Sequence, residues 1–254
     1  MKLDNSELME QLRRANISLA GRVENKMVFE PFWNDFMMRF CWSSNAIEGN
    51  TLSLDETMDV LLYDEVRAGH TYSEYTEAKN LYSSIRTQMA YRKVDIDEEW
   101  IKKCNSLILG VDSDYRDRDV YIGTIMEATY YPPRFTEVPR LMRNLMSEGD
   151  IRTGDIEEIV SDIAEFHIKF ERIHPFFDGN GRTGRMILNQ QLINNDLLPI
   201  TINKNSKYRQ AFASYERSKD LSLLIYLICK NELEALKRLN AFEKKYNEVV
   251  GNAE

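Results

Sequence analysis

The chain has 254 residues, with 33 Lys and Arg against 41 Asp and Glu and a net charge of −8, which excludes a generally basic nucleic-acid-binding surface. It is 43% hydrophobic and 29% charged, an ordinary globular mixture, and its 11 Gly and 6 Pro are few enough that helix formers dominate. Cys41, Cys104 and Cys229 form no CxxC pair and have no nearby His, so neither a disulfide framework nor a zinc site is suggested.

The opening MKLDNSELMEQLRR lacks the apolar core of a secretory signal, and no run approaches the ~20 apolar residues of a membrane span. A cytoplasmic protein is expected, with no membrane and no nucleic-acid partner. Leu3, Leu8, Leu12 and Ile17 give the first stretch a loose helical spacing. A second helical run covers roughly Pro31 to Cys41, with Phe32, Phe36, Met37 and Phe40. In SSNAIEGN, Ser44 is placed to cap a short helix and Gly49 to end it. Ser53 followed by Glu56 reads as a capping box for a helix containing Met58, Leu61 and Leu62.

Helices are expected from Thr76 to Tyr91, with Leu81, Ile85 and Met89 on one face, and from Ile96 to Leu109, with Ile101, Cys104 and Ile108. The helical period then stops. VYIGTIMEATYYPPRF, Val120 to Phe135, is rich in β-branched and aromatic residues and reads as a hairpin or a pair of short edge strands. Helix resumes in VPRLMRNLMSEG and in IEEIVSDIAEFHIKFERI, where Ile159, Ile163, Phe166, Phe170 and Ile173 share a face. No repeat or low-complexity linker interrupts the chain, so the fold class is mainly α, one helical domain carrying a short β-hairpin. His70 and His167 have no Cys or carboxylate partners at metal spacing and read as structural.

His174 to Arg185 reads HPFFDGNGRTGR, between that amphipathic helix and the apolar run MILNQQLI from Met186. Gly179, Gly181 and Gly184 satisfy GxGxxG, but a dinucleotide fingerprint must follow a strand, and here a helix precedes it; a Walker loop needs a Gly-Lys-Ser/Thr that is absent. What remains is a set for phosphate chemistry at a helix N-terminus: glycines that let N–H groups face an anion, two arginines, one carboxylate and one histidine. Asp178 can hold Mg²⁺ on a triphosphate, Arg182 and Arg185 supply forked donors, and His174, with an ordinary pKa of ~6.5, can accept a proton at neutral pH. These are the parts of a nucleotidyl or phosphoryl transferase. An Asp-Gly-Asn-Gly run is by itself a common turn, and the concentration of His, Asp, Asn and two Arg in one segment is what favours chemistry.

The loop resembles the signature of the Fic-domain AMP-transferases, HxFx(D/E)GNGRxxR, with every specified position filled. YRDRDVYIG, Tyr115 to Gly123, followed by Pro132-Pro133, resembles the flap of that family, and Ser44 to Gly49 resembles its inhibitory motif, (S/T)xxxE(G/N). The resemblance implies a region 1-75 carrying the inhibitory helix (about 44-49) and a Fic core 76-254 with a flap (about 118-135), the loop 174-185 and C-terminal helices.

It further implies that His174 is the base toward a target hydroxyl attacking the α-phosphate of ATP, and that Asp178 binds Mg²⁺ (Mn²⁺ as a substitute). Gly179, Asn180 and Gly181 would line an anion hole, Arg182 would hold the phosphate chain and Arg185 the γ-phosphate, with Phe176 as a core anchor. Ser44 and Glu48 would form the restraint, Glu48 reaching Arg185, and Val120, Tyr121, Ile122 and Gly123 would bind the target. Tyr208, in SKYRQAFASYERSKD, is the candidate adenosine contact, with a core-facing position on a helix as its alternative, and the Asn that family members carry downstream is missing. The expected activity is AMP transfer from ATP to a hydroxyl-bearing protein target and to the chain itself. Removal of AMP, with Glu48 positioning water, and nucleotide binding without turnover are the alternatives. Exposed aromatic residues on the N-terminal helices would support a homodimer.

Overall fold

The computed structural model describes residues 2–15, 18–123, 128–148, 154–203 and 206–251, within which eleven α-helices and a two-stranded hairpin are found. They are α1 (Ser6–Ala15), α2 (Leu19–Val23), α3 (Lys26–Glu48), α4 (Leu54–Tyr63), α5 (Tyr72–Gln88), α6 (Glu98–Leu109), β1 (Ile122–Gly123), β2 (Ala128–Tyr130), α7 (Val138–Glu148), α8 (Ile156–Ile173), α9 (Asn180–Asn194), α10 (Ser206–Ser218) and α11 (Ser222–Gly251). The mainly helical class and the hairpin are as expected. Ile17, Gly149 and residues 124–127 of the expected flap lie outside the described residues.

Local sequence explains most boundaries. Ser53 with Glu56, Thr71 with Glu74 and Asp155 with Glu158 form reciprocal capping boxes that start α4, α5 and α8. Two expectations are corrected. The run at Pro31 is the middle of α3, a single 23-residue helix that continues through Ser44 to Glu48, so Ser44 is an interior residue and caps nothing. Pro31 lies near the start of the helix, and the residue whose carbonyl its missing N–H would have served, Met27, is 70% exposed. Gly49 does end the helix, in the left-handed conformation at φ 110°. The aromatic residues of α3 do not form an outer face either: Phe29, Phe32, Trp33, Phe36 and Phe40 are buried, with α5 and α11 packed on the helix. Their apolar area is spent inside the chain, while Tyr63 at the end of α4 and Tyr72 at the start of α5 stay exposed.

Two apolar clusters make the core, and α8 and α9 lie between them. Phe166, Phe170, Ile173, Met186 and Ile187 face the cluster built on α3, α5 and α6, while Ile163, Ile168, Leu188 and Leu192 face the cluster shared with α1, α10 and α11. α9 is therefore surrounded, and some of its polar side chains brace neighbouring backbone. Gln190 bridges the Ala90 and Arg92 backbone and Asn194 bridges that of Val94, pinning the irregular segment between α5 and α6. The loop between α8 and α9 thus projects from two helices that are packed on both sides.

Candidate active site

α8 ends at Ile173, and the chain turns at His174, whose backbone is left-handed (φ 51°, ψ 61°) with its N–H on the Phe170 carbonyl at 3.1 Å. For a side-chain-bearing residue that geometry costs ~1–3 kcal/mol and persists only where neighbours hold it. Arg116 Nε donates to the His174 carbonyl at 2.9 Å, and the Arg116 backbone N–H donates to the Pro175 carbonyl at 2.8 Å. Phe176 is fully buried, and Asn180 brackets its backbone, accepting from the N–H and donating to the carbonyl, both at 2.9 Å. From α6, Asn105 Nδ2 donates to the Asp178 carbonyl at 2.9 Å and to the Thr183 hydroxyl at 3.2 Å. A Cβ at Gly179, itself at φ 76°, would lie 2.7 Å from that amide nitrogen, so conformation and space both demand glycine.

α9 begins at Asn180, earlier than the apolar run at Met186, so half of the expected loop is helix. Its first intrahelical bond runs from the Thr183 N–H to the Gly179 carbonyl at 2.9 Å. The N–H groups of Asn180, Gly181 and Arg182 precede that ladder and put the positive end of the helix at the loop.

A carboxylate of this same chain lies over that end. Arg185 Nη2 donates to Glu48 Oε1 at 2.6 Å and to the Ser44 carbonyl at 3.0 Å, while Nε donates to Ser44 Oγ at 2.8 Å. A Cβ on Gly181 would collide with Glu48 Oε1 and sit 2.9 Å from Arg185 Nη1, so glycine lets acid and guanidinium meet against the first turn of α9. The Arg185 side chain is 3% exposed and that of Glu48 39%, so the cation is fixed and the acid is the partner with room to move. Burial opposes the charge on Arg185, but Glu48, Tyr208 and Glu171 together raise its pKa above the ordinary value.

Burial likewise pushes the His174 imidazole down to about 4, with the Glu171 carbonyl, Glu48 and Asp178 working against the shift and Arg116 adding to it. Its ring is neutral at physiological pH, with a lone pair available. Glu171, one turn earlier on α8, is a group the sequence did not single out. Its Oε1 is buried without a hydrogen-bond partner among the described residues, and burial lifts its carboxyl to about 7 against the pull of Arg185.

Asp178 carries a carboxylate that is 73% exposed and accepts from the Gly179 N–H at 2.5 Å and from Arg182 Nη2 at 3.4 Å. Among the described residues no group of three or more His, Cys, Asp or Glu is assembled to hold a metal. A cation at Asp178 would draw its other oxygens from a ligand and water, which suits Mg²⁺ on a phosphate chain and does not suit an all-protein site. Arg182 Nε is buried without a partner among the described residues, facing the same loop with capacity to donate.

Residues 95–192, which span α6, the hairpin, α7, α8, the loop and most of α9, match the Fic/DOC family. The chain carries a Fic/DOC family domain. Across 176 residues it is 31% identical to a protein of Aquifex aeolicus named Probable protein adenylyltransferase, covering 68% of this chain and 53% of that one. It is 26% identical over 208 residues to the protein adenylyltransferase Fic of Aedes aegypti, covering 79% of this chain and 41% of that one. The chain thus spans about half, or less, of the curated relatives it matches. A Fic-domain-containing signaling protein of Bacteroides thetaiotaomicron has the same fold, with a TM-score of 0.76 at 20% identity over 94% of this chain and 96% of that one. Fic-1 of C. elegans (residues 134–508) gives a TM-score of 0.68 at 19% identity over 94% and 72%.

In the Fic domain the structure brings together His174, Asp178, Gly179, Asn180, Gly181, Arg182 and Arg185, with Ser44 and Glu48 reaching them from outside residues 95–192. The Asn180 side chain is occupied in bracing Phe176, which leaves its backbone N–H for an anion. Tyr208 is 4% exposed and its hydroxyl meets His167 Nε2 at 2.8 Å, the core-facing position on a helix that was the alternative to an adenosine contact. The hairpin pairs Ile122 with Tyr130 and Gly123 with Ala128, and Val120 and Tyr121 lead into it. Tyr130 rests on Arg172, whose guanidinium lies 4.2 Å from the ring centroid, beside a cleft of about 400 Å³ that Pro133, Ile173, Tyr215 and Glu216 also line.

Arg116 and Asn105 were not found from sequence. Asn105 had a signal, a polar residue among Ile101, Cys104 and Ile108 on the buried side of α6. Arg116, in the charge-rich YRDRD, had none. Among the described residues no helix is long and apolar enough to cross a membrane.

Proposed function

We propose that this protein is a protein adenylyltransferase that moves AMP from ATP to a hydroxyl side chain of a target protein and of itself, restrained by its own Glu48. The observation that carries the reading is the anion-binding end of α9, with Glu48 seated on Arg185 at 2.6 Å. The names of the relatives favour transfer over AMP removal or silent binding. In this reading residues 1-75 supply the restraint and residues 76-254 the catalytic core.

His174 accepts the proton of the incoming hydroxyl, its neutral ring kept available by burial. The N–H groups of Gly179, Asn180 and Gly181 hold phosphate oxygens, and Arg182 holds the chain of phosphates. Asp178 would hold Mg²⁺, which when bound would supply charge neutralisation to the phosphate chain. Val120 to Gly123 offers backbone to an extended target segment, a mode that selects shape more than sequence. Little covalent work falls to the protein, and the rate comes from position and charge.

Glu48 takes from the γ-phosphate a charged hydrogen bond worth ~1.5–3 kcal/mol. At about 4 Å and an effective dielectric near 20, the repulsion between like charges adds up to ~4 kcal/mol, of which Mg²⁺ and side-chain rotation relieve part. ATP therefore still binds, with its α-phosphate out of line for attack. Incubation with ATP labelled separately at the α- and γ-phosphates tests the reading. Label from the α-position alone is expected on protein; label from the γ-position would make the enzyme a kinase and overturn it.

A further inference from the structure

We infer that Arg116 is a positioning residue that fastens the hairpin to the loop of His174, so that one guanidinium sets the target strand and its base in register. The inference rests on the transfer reading for what the register is used for, and on geometry for the residue itself. The Arg116 side chain is fully buried, and its nitrogens diverge onto three main-chain oxygens. Nε donates to the His174 carbonyl at 2.9 Å, Nη1 to the Arg118 carbonyl at 3.0 Å, and Nη2 to the Pro133 carbonyl. Arg118 and Pro133 flank the hairpin, so the guanidinium closes its stem and ties that stem to the residue that carries the imidazole. The Arg116 backbone N–H on Pro175 adds a fourth tie at 2.8 Å. Asp119, 3.7 Å from Nη1, accepts from the Phe135 N–H at 2.8 Å and completes the stem.

Two physical points make this more than scaffolding. A planar fork with five donors can meet three divergent carbonyls; an ammonium, a point charge on a flexible stem, cannot hold all three in fixed directions. The carbonyl that Nε holds is that of His174, the strained left-handed residue, so losing the bond frees the ring to leave its place. The charge also reaches the ring. The charged groups facing His174 are Arg116 from the segment before the hairpin, Glu48 from the end of α3 and Asp178 from the loop, with the Glu171 carbonyl 3.4 Å from Nδ1. Arg116 is the cation among them and disfavours the imidazolium.

The experiment uses the full chain carrying Glu48→Gly, with Arg116→Lys and Arg116→Met added singly. Self-modification is followed with α-labelled ATP, and the imidazole resonances of the three histidines are titrated by NMR without nucleotide. Arg116→Lys keeps the charge and loses the fork: kcat should fall ~10²-fold, the scale of a small misplacement, with the KM for ATP within about threefold. Arg116→Met should in addition move the His174 titration to higher pH. Full activity in Arg116→Lys, or an ATP KM that worsens in step with kcat, overturns the positioning role. Should Arg116→Met fail to fold, Arg116→Lys decides alone. If the Glu48→Gly parent takes up no α-label, the transfer reading has failed on its own; the Arg116→Met titration, which needs no turnover, still decides whether Arg116 acts on His174, and an unmoved titration overturns the inference.

Discussion

The loop at the head of α9 and the hairpin beside it meet at Arg116 and are built in opposite ways. In the loop nearly every backbone turn has a side-chain partner: Asn180 brackets Phe176, Asn105 takes Asp178, and Arg116 takes His174. The hairpin has two short strands with an irregular register, flanked by the exposed Tyr121 and Tyr131, and rests on the body through Tyr130 and Arg172. On the proposed function the contrast follows from their tasks. Transfer chemistry loses rate with small displacements and needs fixed atoms, whereas an extended target segment needs a free backbone edge. Specific residues therefore concentrate in the loop, and the hairpin is written mostly in backbone.

The sharpest break in that comparison is Phe176→Ala. Emptying the buried site beneath the loop should cost ~3–5 kcal/mol in a denaturant or thermal melt, because the surrounding helices are too constrained to refill it. A change under about 1 kcal/mol would mean that the loop is not anchored by its core residue.

Next comes His174→Ala, expected to lower AMP transfer by ~10²–10⁴-fold while ATP affinity, measured by calorimetry, is kept. In the intact protein the acid limb of the rate should fall near the displaced His174 value of about 4, since the neutral ring is the competent form and is lost as pH drops through that value. An acid limb at the ordinary histidine value of ~6.5 would contradict the burial argument.

Asp178→Ala should remove most of the Mg²⁺ dependence of ATP binding with little effect on the melt, since the carboxylate is largely exposed. An unchanged metal titration would take Asp178 out of the site. The mildest expectation lies in the hairpin. Ile122→Pro deletes one strand N–H and should reduce target modification several-fold while ATP binding and stability stay within experimental error. A fall in ATP binding as large as in transfer would show that the hairpin serves the nucleotide and not the target.

The same contrast governs what the sequence discloses. HPFFDGNGRTGR is legible because each position has a chemical reason of its own, and the capping boxes at Ser53 and Asp155 because they are local. The unity of α3 was hidden by Pro31, which reads as a boundary and is overridden by the aromatic face that the helix buries. Ser44 shows the limit of local reasoning. It looks like a cap, yet it binds Arg185 across 141 residues of sequence. Arg116 was missed for the same reason: it is a surface-type residue drawn inside by three main-chain carbonyls. Long-range polar partners leave no period in the sequence.

The central claim, that Glu48 on Arg185 holds a competent site off, is tested most directly by comparing the wild-type chain with Glu48→Gly for two quantities at once: the rate of α-label transfer to protein and the dissociation constant for ATP with Mg²⁺. Transfer is expected to rise by orders of magnitude while ATP affinity tightens much less, on the order of the ~10- to 10²-fold that one charged hydrogen bond carries. Equal transfer rates in the two proteins, with Arg185 free of its carboxylate, would contradict it.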